Sequence, residues 1–457
     1  MKNYCLKFLE HFLLFSALLL VATAFSMKYS FDTRKSFKGE SWDYVTVRPK
    51  AHMFYWLYET THPSGYKERP LILWLQGGPG GSGTGFGNFQ EIGPLDVNLN
   101  KRNTTWLQTA SLLFIDNPVG TGYSYVEDKK ALTTSVAEIS ADLLTLMQAF
   151  VKKHPDFEKI PFYIFSESYG GKMTAAFSKV LYDAIQAEKI ALNFKGFAMG
   201  DSWISPVDSV NSWGPYLYAT SIIDDDGLAA IQTIAKKVEK LVNEGKFVEA
   251  TGAWDEAEGV VGRVSGNVNF YNIMNWGGEG ITSQQEESQT LKFQPEIESH
   301  LGPLYRRHVK PLYGNSLDEL MNGPIRKKLG IIPDNVQWGG QSKEVFEAQG
   351  TEFMKNVTST VNDLINKTPL KVVVYQGQLD LICDTLGAEM WFDQLDVAES
   401  FESATRVLKS CKSHPVACYY QKEYKNVQFY WILGAGHMVP SDNGYGALDM
   451  VNQIIAS

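Results

Sequence analysis

Short apolar runs recur along the chain, and several of them lead directly into glycine-rich turns. Their length and their content of β-branched and aromatic residues are typical of buried strands. We therefore predict a strand at each run. The runs span residues 70–75, 111–115, 160–165, 370–375 and 429–433.

Helical periodicity follows several of these runs. Apolar residues recur at helical spacing over 135–153, where Lys152, Lys153 and then Pro155 are helix-stop signals. A second helix is predicted over 171–184, directly after one of the glycine-rich turns. Strands that alternate with helices indicate a mostly parallel sheet with helices on both faces, so the predicted fold class is α/β.

The middle of the chain has a different pattern. From about residue 205 to residue 350 few runs have the character of buried strands, and Asp226 is expected to cap a helix there. Strand-like runs return at Leu370. We predict an α/β core formed by residues 25–204 and 351–457, with a mainly helical cap inserted over 205–350.

The N-terminal residues have the pattern of a secretory signal peptide. Lys2 and Lys7 provide a basic start, and an apolar segment follows that ends in small residues at Ala22 and Ala24. This segment is short for a membrane span, which takes ~20 helical residues. An uncleaved anchor is the alternative. We predict that residues 1–24 are removed and that the mature protein is secreted or lysosomal, with no attachment to the membrane.

Charge and sequons are consistent with that compartment. The chain carries a net charge of −9, and a mildly acidic surface argues against nucleic acid as a partner. Three Asn-x-Ser/Thr sequons, at Asn103, Asn356 and Asn366, are expected to carry glycans behind a signal peptide. No feature of the sequence indicates an oligomeric state.

Cysteine usage is sparse. Once Cys5 leaves with the signal peptide, Cys383, Cys411 and Cys418 remain, so at most one disulfide can form within the chain. Cys411 and Cys418 are close enough in sequence to close a small loop, which would leave Cys383 as a free thiol. No pair has metal-ligand spacing, so we expect neither a metal nor a cofactor.

Ser168 lies between a predicted strand and a predicted helix, in the segment FSESYGG at 165–171. A nucleophile elbow needs this sharp turn because it lifts the hydroxyl above the sheet, toward the N–H groups of a helix N-terminus. Ser166 stands where glycine is usual, and it is still small enough for the turn. On its own the segment is equally consistent with an ordinary strand–turn–helix.

Two later residues complete a catalytic arrangement. An elbow serine needs a base, and the base needs an orienting acid, in the chain order Ser, Asp, His. Asp380 and His437 each lie just past a predicted strand, where open α/β sheets place their sites. The histidines that lack this setting are expected to be surface or structural residues; they are His52, His62, His154, His300, His308 and His414.

A glycine-rich loop, WLQGGPGG at 74–81, opens directly after the first predicted strand. Glycines let the backbone approach a substrate carbonyl closely. We expect this loop and the residue after the nucleophile to supply an oxyanion hole. An ordinary flexible loop is the alternative.

Together these motifs resemble the serine carboxypeptidase family, a branch of the α/β-hydrolases. The resemblance implies an α/β-hydrolase fold and the removal of C-terminal residues from peptides or proteins, often at acidic pH, without metal or cofactor. The matching segments are WLQGGPGG at 74–81, EIGPL at 91–95, DNPVGTGYSY at 116–125, SESYGGK at 166–172, GDSWISP at 200–206, MNGPIRKKLGI at 321–331 and GHMVP at 436–440.

The resemblance also assigns the acyl-transfer roles by position. Ser168 would be the nucleophile, His437 the general base and Asp380 the orienting acid. The backbone N–H groups of Gly78 and Tyr169 would form the oxyanion hole.

The substrate's C-terminal carboxylate would be bound by Gln76, Gly77 and Glu167. A free α-carboxylate is ionised above about pH 4, so a neighbouring glutamic acid must be protonated to donate a hydrogen bond to it. Peptide affinity is therefore expected to fall as the pH rises.

Two departures from the family pattern concern this terminus. The family usually has Asn where this chain has Gln76, and it pairs the glutamic acid beside the nucleophile with a second acid, whose aligned position here is Gln90. A glutamine cannot raise a neighbouring carboxyl pKa by like charge. We predict activity restricted to lower pH and extended upward by Gln90→Glu, although the register of Gln90 against Glu91 stays open.

Two further residues are expected near the substrate. Cys383, three residues after Asp380, would line a subsite and react with bulky thiol reagents, or it is simply a small buried residue. Met438, beside His437, would line the leaving-group pocket, or it serves packing alone.

Two other functions stay open. The same triad on this fold serves acyltransferases, esterases and lyases, which comparison of free peptides, blocked peptides and esters would separate. A secreted binding protein with a vestigial site is the second alternative, and the intact Ser168, Asp380 and His437 argue against it.

Overall fold

The computed structural model describes residues 39–276, 301–412 and 415–456. The predicted signal peptide, residues 1–24, lies outside them, as do His300 and His414. The described residues belong to one compact unit. None of their helices is long and apolar enough to cross a membrane.

An eleven-stranded sheet forms the centre of this unit, in the order β1-β2-β4-β3-β6-β7-β8-β11-β10-β9, with β5 paired to β2. Strands β4, β3, β6, β7, β8 and β11 run parallel, and antiparallel strands extend both edges. The strands are β1 (Glu40–Arg48), β2 (Ala51–Tyr58), β3 (Leu71–Leu75), β4 (Ser111–Ile115), β5 (Tyr125–Val126), β6 (Pro161–Glu167), β7 (Asn193–Gly200), β8 (Lys371–Gly377), β9 (Val407–Lys409), β10 (Tyr419–Tyr424) and β11 (Val427–Ile432).

The central strands are continuous apolar runs because helices cover both of their faces. Every residue of β3 and β4 is buried, and β8 is exposed only in part at Lys371. All five apolar runs predicted to be strands coincide with strands of the structure. Because the parallel strands point the same way, their carboxyl ends open on one edge of the sheet.

The helices of the described residues follow the strands or lie between β7 and β8. They are α1 (Val136–Lys153), α2 (Tyr169–Gln186), α3 (Pro206–Ala219), α4 (Asp225–Asn243), α5 (Phe247–Ser265), α6 (Gly302–His308), α7 (Asn315–Leu320), α8 (Arg326–Leu329), α9 (Ser342–Ala348), α10 (Thr358–Lys367), α11 (Thr385–Phe392), α12 (Ala398–Glu402), α13 (Val439–Asp442) and α14 (Gly444–Ala456). A π-type helix spans Gly83–Ile92.

Helix starts follow ordinary capping chemistry. Ser135 accepts a hydrogen bond from the N–H of Glu138 at the start of α1, and the Glu138 side chain accepts from the N–H of Thr134. Helix α4 is capped by Asp224, which accepts from the N–H of Gly227. The prediction that Asp226 is this cap was wrong by two positions, because Asp225 and Asp226 already lie inside the first turn.

Between β7 and β8 the described residues form helices and no strand. Helix α5 packs on α4, and α4 packs on α3. The division at residues 205 and 350 stays a prediction.

The cysteines pair as the spacing allows. Cys411 and Cys418 form a disulfide, with Cα atoms 5.6 Å apart, and Cys383 is a free, buried thiol.

Candidate active site

Ser168 occupies a strained turn between β6 and α2. Its backbone has φ 61° and ψ −130°, a conformation that costs energy in any residue with a Cβ. The strain is held by surrounding contacts: the N–H of Ser168 donates to the Gly200 carbonyl, and its own carbonyl accepts from Gly171 and Trp203. This is the geometry of a nucleophile elbow.

The small residues around the elbow are required by close approach. A Cβ on Gly170 would lie 2.3 Å from the Leu75 carbonyl oxygen, and one on Gly171 would lie 2.0 Å from the Ser202 Oγ. Ser166 is accommodated at this position. Its side chain is fully buried, and its hydroxyl donates a hydrogen bond to the Ala198 carbonyl at 3.2 Å. A serine at this position therefore leaves the elbow intact.

His437 and Asp380 lie on the loops after β11 and β8, and the structure brings them together. Nδ1 of His437 is 2.9 Å from Oδ2 of Asp380, and both side chains are almost fully buried. Asp380 also accepts a hydrogen bond from the N–H of Ile382 through Oδ1. Nε2 of His437 has no partner among the described residues and lines the same pocket as Ser168. That nitrogen is free to accept a proton from the serine hydroxyl.

Gly77 and Gly78 bring the loop after β3 against the nucleophile. A Cβ on Gly77 would lie 2.5 Å from the Cβ of Ser168, so no other residue fits there. Gly78 has φ 110°, which favours glycine. Tyr169 is the first residue of α2, so its N–H is one of the helix-start groups without an intrahelical acceptor. Both predicted oxyanion donors therefore flank Ser168.

A pair of buried acids lies beside the nucleophile, and it corrects one prediction. The second acid is Glu91, whose buried carboxyl lies close enough to that of Glu167 for each to shift the pKa of the other. Gln90 is half-buried and is not among the residues that line the pocket. Both residues lie on the same short helix, whose buried face carries Glu91, so the aligned position was misjudged by one residue.

The protonation of this pair follows from its burial. Desolvation raises the pKa of Glu91 to about 7. Desolvation, together with the charge of Glu91, raises the pKa of Glu167 well above its usual range. The two carboxyls therefore hold at least one proton at acidic and neutral pH. The premise of the predicted restriction to lower pH does not hold, because Glu91 supplies the like charge that Gln90 lacks. The pH range of activity itself stays a prediction.

Gln76 is held by its neighbours in one orientation. The indole N–H of Trp74 donates to its Oε1 at 2.7 Å, so its Nε2 is left to donate to Oε1 of Glu167 at 3.1 Å. The amide thus presents its donor side to the acid pair. Glutamine in place of asparagine keeps a donor at this position.

Seven of the sixteen residues that line the pocket were not predicted from the sequence. Trp203 follows β7, Trp254 lies on α5, and both pack against Phe353, with ring centroids 5.3 and 4.7 Å from it. The remaining wall residues that were not predicted are Tyr271, His308, Leu312 and Ile382. No local motif marks Trp254, Tyr271, His308, Leu312 and Phe353, which lie in the helical region between β7 and β8. Trp203 lies in the matching segment GDSWISP, and Ile382 lies on the same loop as Asp380.

His308 was expected to be an ordinary structural histidine, and the structure places it in the pocket wall. Its Nε2 lies 2.6 Å from Oε1 of the buried Glu258, its Nδ1 is 2.8 Å from the Tyr271 hydroxyl, and its ring stacks on Trp254. Arg307 forms an ion pair with the same Glu258. Burial alone would raise the pKa of Glu258, but the neighbouring His308 and Arg307 outweigh it and lower that pKa.

Cys383 and Met438 both line the pocket, as expected. Burial raises the pKa of the Cys383 thiol well above its usual range, so the thiol is protonated and unreactive by itself. Potential ligand atoms of Asp380, Cys383 and His437 lie within 4.8 Å of one another. This cluster coincides with the acid–base pair, and Nδ1 of His437 is already engaged with Asp380, so it does not form a separate metal centre.

Lys172 joins helix α2, which begins after Ser168, to the segment that carries Phe353 in the pocket wall. It is fully buried one turn after Ser168, and its Nζ donates to the carbonyl oxygens of Glu352 and Phe353, each at 2.9 Å. Burial lowers its pKa to about 7. Phe353 is thereby held where it stacks on Tyr169.

The comparison with known proteins decides the family. The model of the family described as "Serine carboxypeptidase" matches residues 31–457. The chain belongs to the serine carboxypeptidase family. Retinoid-inducible serine carboxypeptidase from mouse is 48% identical over 441 residues, which cover 96% of each chain. The human protein of that name is 51% identical over 419 residues and 91% of each chain. The predicted resemblance and the prediction of a serine-type carboxypeptidase are confirmed.

A solved structure confirms the fold class. The prohormone-processing carboxypeptidase Kex1(Δ)p from Saccharomyces cerevisiae superposes with a TM-score of 0.74 and 19% sequence identity, over 91% of this chain and 90% of that one. At this identity the likeness concerns the fold alone. This chain therefore has the α/β-hydrolase fold, as its sheet topology indicates.

Proposed function

We propose that Ser168, His437 and Asp380 form the catalytic triad of a carboxypeptidase that releases single residues from peptide C-termini. Ser168 on its elbow supports this role, because the unpartnered Nε2 of His437 lines the same pocket and Nδ1 is held by Asp380. The observation that carries the exopeptidase assignment is the Glu91–Glu167 pair beside the nucleophile. A buried protonated acid at that point suits a substrate that ends in a free carboxylate.

The chemistry proceeds by acyl transfer. Oγ of Ser168 attacks the last peptide carbonyl while Nε2 of His437 takes the hydroxyl proton. The negative charge that develops on the carbonyl oxygen is stabilised by the N–H groups of Gly78 and Tyr169. His437 then gives its proton to the leaving nitrogen and the C–N bond breaks. Water repeats the sequence on the acyl-enzyme, and it releases the shortened peptide and restores Ser168.

The terminal carboxylate is bound beside this centre. Gln76 donates from Nε2, Gly77 from its backbone N–H, and Glu167 from its protonated carboxyl. Glu91, whose pKa is raised to about 7, loses its proton first, and Glu167 loses its own only in a higher pH range because the charge of Glu91 raises its pKa further. Above that range an ionised pair repels the substrate carboxylate, so affinity for free peptides falls while the acyl-transfer groups stay in place.

Active-site labelling tests the triad. A fluorophosphonate at acidic pH should label the wild type, and Ser168→Ala should abolish the label. Removal of a triad serine costs on the order of 10⁶ in kcat. Absence of labelling in the wild type would favour a vestigial site.

A substrate panel tests the exopeptidase assignment. We expect a peptide with a free C-terminus to be cleaved in preference to the same peptide ending in an amide, and this preference to narrow above pH 7. An ester of matching acyl group is the control, because it needs no carboxylate recognition. Equal cleavage of free and amidated peptides would instead favour a general esterase or acyltransferase.

The compartment is also a proposal. A signal peptide at residues 1–24 and glycans at Asn103, Asn356 and Asn366 would make the protein secreted or lysosomal. All three asparagines are exposed, and a Cys411–Cys418 disulfide suits an oxidising compartment. N-terminal sequencing of the mature protein and a mass shift on glycosidase treatment would test this.

A further inference from the structure

Asp201 is a fully buried acid behind the triad that the mechanism above does not use. It follows β7, and its backbone N–H donates to the Tyr375 carbonyl of β8 at 2.9 Å. Its Oδ1 accepts from the N–H of Gly377 at 2.7 Å. Its Oδ2 has no donor among the described residues. A buried oxygen without a donor is costly unless it carries a proton and donates one itself.

The partner for that proton is Asp380. The carboxyl group of Asp380 lies close enough to that of Asp201 to raise its pKa, both by its charge and as a hydrogen-bonding side chain. Two carboxylates in contact cannot both be ionised in a buried site. Asp380 receives donors from both His437 and Ile382, which stabilise its ionised form, whereas Asp201 receives only the Gly377 N–H. The shared proton therefore belongs to Asp201.

The surroundings of Asp201 favour its neutral form. Burial, followed by the charge of Asp380, raises its pKa well above the usual range. The titratable side chains that interact with it include Asp380, Asp442, Glu167, Cys383 and Tyr375. His437 is joined to this group through its contact with Asp380.

We propose that Asp201 is a positioning residue that stays protonated and donates a hydrogen bond from Oδ2 to the carboxylate of Asp380. The bond fixes the plane of that carboxylate toward Nδ1 of His437, so the imidazole keeps its proton on Nδ1 and leaves Nε2 free. The inference rests on the triad of the proposed function. Ionisation of Asp201 at high pH removes the donor and places a second negative charge against Asp380.

The backbone of Asp201 makes a clean test possible. Its φ is 40°, a region that asparagine and glycine tolerate and most residues do not. Asp201→Asn keeps the Gly377 contact and a pH-independent donor to Asp380. Asp201→Gly removes both groups without backbone strain. Asp384→Asn is the matched control, because Asp384 is equally buried but bonds Ser212 and the start of α11 instead of the triad.

The rate of fluorophosphonate labelling is measured from pH 4 to pH 10, because this probe has no carboxylate and does not depend on Glu91 or Glu167. Asp201→Gly should label about 10- to 100-fold more slowly at pH 5, the range for losing a hydrogen bond to a charged group. Asp201→Asn should stay within about 3-fold of the wild type at pH 5. It should also lose the decline in rate that the wild type shows at alkaline pH. Asp384→Asn should keep the wild-type profile.

Three results would overturn the inference. Asp201→Asn could slow labelling as much as Asp201→Gly, Asp201→Gly could label at the wild-type rate, or Asp201→Asn could keep the wild-type alkaline decline. Thermal melts show whether Asp201→Gly is misfolded. If it is, the dependence of the Asp201→Asn labelling rate on pH decides between the outcomes by itself. Labelling that persists in Ser168→Ala would instead refute the proposed function.

Discussion

The two walls of the pocket treat buried charge in opposite ways. On the wall built from strand ends, Glu91, Glu167 and Asp201 have raised pKa values and are held neutral by burial and by one another. On the wall built from the helical region, Glu258 has a lowered pKa and is held ionised between Arg307 and His308.

The difference follows from what each wall must contact. A neutral acid can donate a hydrogen bond, so acids at the strand ends can bind an anionic terminus or support the ionised Asp380. An ionised carboxylate can only accept, so Glu258 is suited to fixing His308 and Tyr271 in the wall. We infer that the strand ends perform the reaction and the terminus recognition, while the helical wall shapes the space for the rest of the substrate.

The largest expected effect is that of substituting Asp380, the strand-end carboxylate that must be ionised. Asp380→Asn should lower the labelling rate by about 10⁴, because an asparagine favours the wrong imidazole tautomer. The same substitution at Asp384, a neighbouring buried acid outside the triad, should have little effect. Similar losses of labelling rate in the two variants would mean that Asp380 has no role different from that of the neutral acids around it.

The next effect tests the ionised pair of the helical wall. Glu258→Gln should destabilise the protein by about 3–5 kcal/mol, because it leaves the buried His308 without a carboxylate and leaves Arg307 with Asp255 alone. Glu256→Gln on the same helix removes an exposed ion pair with Lys237 and should cost at most about 1 kcal/mol. Urea unfolding at pH 6 measures both. Equal losses of unfolding free energy in Glu258→Gln and Glu256→Gln would mean that the helical wall does not depend on the charge of Glu258.

The neutral acids make stability depend on pH. Burial raises the pKa of Asp384 to about 7 and that of Asp116 to about 6. The folded protein therefore keeps protons that the unfolded chain has released above about pH 4. The free energy of unfolding should fall by a few kcal/mol as the pH rises from about 4 to 7.

Asp384→Asn should make this pH slope shallower, and Asp393→Asn, at an exposed position nearby, should leave it unchanged. Melting temperatures at pH 5 and pH 7.5 are sufficient. Glu258 acts in the opposite sense, since its lowered pKa means that its contribution is lost only as the pH falls below the usual range of a glutamic acid. A wild-type melting temperature that rises from pH 5 to pH 7.5 would contradict the predominance of neutral acids.

The smallest expected effect is that of Glu91→Gln, which should change the recognition of free C-termini and leave ester hydrolysis unchanged. Glu91→Gln removes the like charge from Glu167, which then ionises at lower pH. We expect the pH at which KM for free-carboxylate peptides begins to rise to shift downward relative to the wild type, with ester hydrolysis unchanged. Gln90→Glu, one residue away, is the matched control and should leave the pH profile as it is. An upward extension of the profile by Gln90→Glu would restore the earlier assignment of that residue.

The strand-end wall was largely predictable from the sequence. Its predicted triad residues each follow a continuous apolar run, whereas Glu91 lies on the helix Gly83–Ile92 and Asp201 follows the unpredicted strand β7. Buried parallel strands are the elements that continuous apolar runs mark most clearly. Ser168, Asp380 and His437 were therefore placed at one edge before any contact was known. The parallel strand β7 and the antiparallel strands β1, β2, β5, β9 and β10 were not predicted. Strands β1, β9 and β10 mix apolar and polar side chains, which weakens their pattern.

The helical wall could not be predicted in the same way. Trp254, Tyr271 and His308 lie far apart in the sequence, and only tertiary packing of amphipathic helices brings them to the pocket. His308 carries no local signal that separates it from the other histidines. Glu91 was missed for a narrower reason: adjacent residues on a short helix point in different directions, so an error of one position exchanged a buried acid for a half-buried amide.

Lys172 has a mechanical consequence. Its two hydrogen bonds join the helix that begins after Ser168 to the segment that carries Phe353. A substrate side chain that pushes Phe353 outward must break these bonds or displace the nucleophile helix with it. The depth of the pocket is therefore rigidly linked to the position of the reacting oxygen, and a bulkier substrate is rejected by misalignment of the attack rather than by simple exclusion.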